Sequence, residues 1–185
     1  MSASANNLPQ HPFPMVRSGG LFVLLVGLGM LMGAVLGENH LLLPLIVGAP
    51  LAVIAQGVFR SRLVQRLGRP TRLQVMALIG AIALEMILAA VVAYAFHFHQ
   101  SQRFWLWILL VVGAHLLVIA VAQGRLLFLL GVACVANAIV GLWLPQAPLV
   151  IFWFIDGVMK IIVGSLMLST RPVMQIPNPA NDQDK

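Results

Sequence analysis

Apolar residues along this chain fall into six long blocks, at roughly 19–37, 41–59, 73–96, 104–122, 126–144 and 149–170, separated by short polar connections. Each block approaches the ~20 residues with which an α-helix crosses a ~30 Å hydrocarbon layer. None of them shows the alternation of a membrane-barrel strand, so the pattern predicts helices. The expected fold is all-α: a polytopic integral membrane protein built as a bundle of six transmembrane helices over residues 19–170. Residues 1–18 hold Pro9, Pro12 and Pro14 among polar neighbours and lack the basic start, short apolar core and cleavage site of a signal peptide. They are expected to be a disordered cytoplasmic tail. A second such tail is expected over residues 171–185, with Pro172, Pro177 and Pro179 and a polar end.

The connections set the orientation. Arg17, Arg60, Arg62, Arg66, Arg69, Arg72, Arg125, Arg171 and Lys185 fall on one side, and Arg103 alone falls on the other, with Glu38, His40, His97 and His99. Positive residues accumulate on the cytoplasmic side, so both termini are expected inside. The cluster Arg60, Arg62, Arg66, Arg69 and Arg72 reads as an anchor for anionic lipid headgroups, with docking of an acidic partner as the alternative. Trp105, Trp107, Trp143 and Trp153 near the outer turns read as an aromatic belt.

Composition agrees with a membrane solvent. Of 185 residues, 61% are hydrophobic and 9% charged, whereas soluble domains carry roughly 25% charged residues. The mean hydropathy is +0.98. A net charge of +6 would suit nucleic acid only on a folded aqueous surface, and here the basic residues flank apolar blocks, so no nucleic-acid partner is expected. Cys134 is the single cysteine, which rules out an intramolecular disulfide and reads as a small packing residue. Nothing matches a zinc-protease motif, a phosphate-cradling loop or a nucleophile elbow, and paired histidines at matched depth for haem are lacking. Neither enzymatic activity nor a cofactor is expected.

A shift of 85 residues lays helices 1 and 2 on helices 4 and 5, with Leu24-Leu25-Val26 on Leu109-Leu110-Val111. Helix 3 needs a different offset to meet helix 6. An inverted three-plus-three repeat, the plan of many transporters, is thus one reading, and chance agreement of leucine-rich spans is the other.

Depth singles out a polar layer. At 1.5 Å per residue, Glu85, His115, Asn137 and Lys160 each lie about eleven or twelve residues inside their helices, close to the bilayer midplane. Asp156 precedes Lys160 by one turn on the same helix face. Such residues face the bundle interior and pair, which suggests Lys160 between Glu85 and Asp156, with His115 and Asn137 completing hydrogen bonds. Two roles remain open: a scaffold that fixes helix register, or a site that exchanges a proton, cation or polar solute. Outer metal candidates are Glu38, His40, His97 and His99, although His97 and His99 diverge on a helix. Gly29, Gly33 and Gly37 suit close helix packing, and Pro44 and Pro50 suit a kink or unwinding in helix 2.

The functional expectation is a small bacterial inner-membrane transporter or channel for an ion or small polar solute, acting as an oligomer. The alternative is an accessory, assembly or immunity subunit that binds a partner membrane protein, its polar cluster purely structural. A water-accessible route to the polar layer separates the two.

Overall fold

A computed structural model describes residues 12–37, 41, 43–64, 70–97 and 101–170. Among these residues there are six helices and no strand: α1 (Val16–Leu36), α2 (Leu43–Val64), α3 (Arg72–Ala95), α4 (Gln102–Gln123), α5 (Arg125–Trp143) and α6 (Leu149–Leu168). All but α2 are long and apolar enough to cross a membrane; the apolar stretch of α2, Ile46–Ala55, is shorter and contains Pro50. Five of the six are thus membrane-spanning in length and composition.

Local chemistry places the ends. Thr71 caps α3 through a reciprocal capping box, its Oγ1 accepting from Gln74 N–H at 3.2 Å while Gln74 Oε1 accepts from Thr71 N–H at 3.0 Å. Ser101 caps α4 by accepting from Phe104 N–H at 3.3 Å. Gly124, at φ +97°, both ends α4 and starts α5, a reversal of direction that an L side chain rarely allows. Helix α1 starts at Val16, inside the stretch expected as a tail, and Pro12–Met15 lie against the bundle.

Four helices form the centre. Helix α1 packs along α6, α6 meets α5, and α5 packs along α4; α2 lies mainly on α1, and α3 mainly on α4. The α1–α6 seam is the most intimate. A Cβ placed on Gly164 would lie 2.7 Å from Leu24 N and 2.8 Å from Gly20 O, and one on Gly27 would lie 2.8 Å from Gly157 O. Backbones approach this closely only where side chains are missing, the membrane route to strong dispersion packing. Of the glycines singled out by sequence, Gly33 allows close approach of the Leu41 backbone, whereas Gly37 faces open space.

Two apolar clusters fill the bundle, one at the end where α1 starts, called inner, and one at the opposite end, called outer. The inner one contains Val23, Leu116, Ile119, Leu127, Leu130 and Met167. The outer one contains Met30, Leu106, Leu109, Leu149, Phe152 and Trp153. Trp153 is therefore core, set edge-on to Trp105 at 6.2 Å, while Trp107 and Trp143 are exposed at the surface. Along α4 and α6, the ionisable residues fall between the two clusters.

Candidate functional site

The polar layer divides into two pairs. On α6, Lys160 Nζ donates to Asp156 Oδ2, and it also stands 3.9 Å from Cys134 Sγ on α5. Asp156 and Lys160 are almost completely buried, and Asp156 Oδ1 has no hydrogen-bond partner among the described residues. Gly27 of α1 makes room for the lysine stem, since a Cβ there would meet Lys160 Cβ at 2.8 Å. This pair is sealed.

The second pair joins α3 to α4. Glu85 Oε2 lies 3.3 Å from His115 Nδ1, with the imidazole 9% exposed and the carboxylate 27% exposed. Glu85 sits at the centre of the inward face of α3, with Ala81 one turn before it at 0% exposure. Its openness arises because, among the described residues, α3 has α4 as its one extensive neighbour, leaving Ile79, Ile82, Met86 and Ile87 on the surface.

Lys160 thus pairs directly with Asp156 and makes no ion pair with Glu85, although it stands close enough to act electrostatically on Glu85 and His115. The i,i+4 spacing brings Asp156 to the lysine within α6, while α3, on the flank of α4, turns Glu85 toward His115. Asn137 joins neither pair; its Nδ2 donates to Phe152 O at 2.9 Å and ties α5 to α6. Cys134 is fully buried, as a packing residue would be, yet it also contacts the lysine.

Of the outer candidates, His97 is exposed just beyond α3, with φ 48°; Glu38, His40 and His99 lie outside the described residues. Arg72 is exposed at the start of α3. The side chains of Arg60 and Arg62, and all of Arg66 and Arg69, lie outside the described residues, as does the side chain of Gln56. A cleft at the outer end is lined by Gln102, Leu106, Gly141 and Pro145, and an apolar groove by Ala34, Val35, Val150 and Ile151. Neither includes a member of the two pairs.

Sequence reasoning passed over two buried glutamines, Gln74 and Gln123, at the inner ends of α3 and α4. Their only signal was position, each being an amide at the margin of an apolar block.

Chemically the pairs differ. A lysine held by an aspartate in a sealed layer is a neutral unit with little to exchange. A carboxylate beside an imidazole can hold no, one or two protons, and a partly exposed one can take them up or release them. No curated protein and no solved structure matches the chain. Residues 6–177 match a family of unknown function, DUF6609, and the chain belongs to that family.

Proposed function

We propose that this protein is a small inner-membrane transporter or channel of a bacterium, with six spans and both termini cytoplasmic, whose exchange site is the Glu85–His115 pair. One observation carries the reading: a carboxylate at mid-depth, paired with a buried imidazole, remains 27% exposed. Hydrocarbon cannot solvate a carboxylate, so an open one at this depth calls for water or a polar solute beside it. A purely structural clamp has no need of that opening. Lys160 and Asp156 then serve as the clamp, holding α6 in register while Glu85 and His115 exchange.

The order of packing supports an inverted repeat. Helix α1 lies between α2 and α6, and α4 lies between α5 and α3, the arrangement obtained by exchanging the two three-helix halves. The halves differ in that α5 packs on α6 without an equally extensive α2–α3 contact.

A second reading, an accessory subunit with a static polar layer, is favoured by the sealing of Lys160 and Asp156 and by clefts that miss both pairs. Glu85→Gln separates them. It preserves shape and removes the exchangeable charge. In reconstituted vesicles, proton or solute flux per folded molecule should fall more than about tenfold, a barrier increase of roughly 1.4 kcal/mol. Unchanged flux per folded molecule would remove Glu85 from the exchange site and favour the accessory reading.

A further inference from the structure

The seam between α3 and α4 differs on the two sides of Glu85. Toward the outer end, Leu88, Ala89, Val92 and Ala93 are half-exposed. Toward the inner end, Ala81 is fully buried and Leu78 packs into the cluster of Leu116, Ile119 and Ala120. Packing is thus tightest on the inner side of Glu85, and at the far outer end of the seam the Phe96 ring stands edge-on to Phe104 at 6.0 Å.

A polar lock lies beyond that inner block. Gln74, buried in the first turn of α3, donates from Nε2 to Pro12 O at 2.9 Å. The Phe13 ring lies on Gly124, where a Cβ would come within 3.0 Å of it. Arg17 Nε donates to Thr170 O at 2.8 Å, joining the start of α1 to the residues after α6. Beneath this segment, the Gln123 side chain fills the space left by Gly19. Gln123 is 8% exposed, and its Oε1 accepts no hydrogen bond among the described residues.

Pro12 and Phe13 precede α1, and Phe13 O accepts from Val16 N–H at 3.2 Å. Their attachment to α3 includes a glutamine donor. The segment thus bridges the start of α3, through the Gln74 side chain, and the end of α4, through the Phe13 ring.

We propose that Pro12–Phe13 form a strap closing the inner end of the α3–α4 seam, with Gln74 as its latch. This inference rests on the exchange reading of Glu85–His115 for its purpose, but the strap can be tested separately. Gln74→Glu keeps an oxygen for the Thr71 N–H, so the capping box survives, while it removes the donor to Pro12 O and sets two acceptors against each other. Phe13→Ala removes the ring from Gly124 and serves if the first variant folds poorly.

The reporter is Ala120→Cys in a Cys134→Ala background, in lipid nanodiscs where both faces meet a membrane-impermeant maleimide. Gln74→Glu should speed labelling about fivefold, the shift in a closing equilibrium from losing one hydrogen bond of roughly 1 kcal/mol, and Phe13→Ala, which removes the ring contact and keeps that bond, should speed it as well. Faster labelling supports the strap whether or not flux is found; without flux, the transport reading alone falls. Unchanged labelling in folded variants overturns the strap, even if Glu85-dependent flux is present in the parent.

Discussion

Lys160 reaches Asp156 within its own helix and Cys134 across the α5–α6 seam, leaving no charge of the pair in contact with lipid. Removing one partner strands the other in a medium that cannot solvate it. Lys160→Met should therefore lower stability by ~3–5 kcal/mol, and adding Asp156→Leu should restore much of the loss, because an apolar pair carries no desolvation penalty. Thermal unfolding of the detergent-solubilised variants, followed by the fraction eluting as folded protein, measures both. Equal stability of Lys160→Met and parent would mean that the lysine is not paired. The layer itself was legible in the sequence because depth follows from a fixed rise per residue. Partners were not, since they depend on the rotation of each helix and on which neighbour it meets. Asp156–Lys160 could be read from spacing within one helix, whereas Glu85–His115 required knowing that α3 lies on α4.

Helix positions were the most legible feature, because long apolar blocks bounded by Pro, Gly and Arg leave few alternatives; the observed helices begin and end within a few residues of the blocks, apart from the inner end of α2. Packing faces were harder. The seam glycines, Gly20 and Gly27 on α1 and Gly157 and Gly164 on α6, are each seven residues apart, two turns on one face, but a leucine-rich span gives no periodic contrast to mark that face. Substitution should distinguish seam from surface. Gly164→Ala forces a Cβ against backbone atoms of Leu24 and Gly20, which must shift, at a cost of about 1–3 kcal/mol. Gly80→Ala on α3 meets open space and should be neutral or gain up to ~1 kcal/mol from helix propensity. Unfolding of the two variants under identical detergent conditions compares them. Equal losses at both positions would remove the seam from its role.

At the scale of the whole molecule, Arg17, Arg72 and Arg125 stand at the start of α1, α3 and α5, Arg60 and Arg62 near the end of α2, and Arg103 at the start of α4. If the inner side is cytoplasmic, cysteines replacing Arg66 and Asp182 should react with an impermeant reagent only when the cytoplasmic face is accessible. External labelling of either position would reverse the orientation. What the residues alone could not supply was the relation of α2 and α3 to the rest, because a lipid-facing helix and one awaiting a neighbour carry the same apolar composition.

The α1–α6 seam also sets an order of events during synthesis. Helix α1 leaves the ribosome with its glycine face bare, and α2, α3, α4 and α5 must all emerge before α6 exists to cover it. Until then Gly20 and Gly27 present backbone to acyl chains that pack on it poorly, with α2 as an early companion. A nascent chain arrested before α6 therefore carries an unclosed face that another small-residue helix can occupy or a membrane protease can engage. The arrival of α6 works as a keystone, joining the α1–α2 pair to the packed group of α3, α4 and α5.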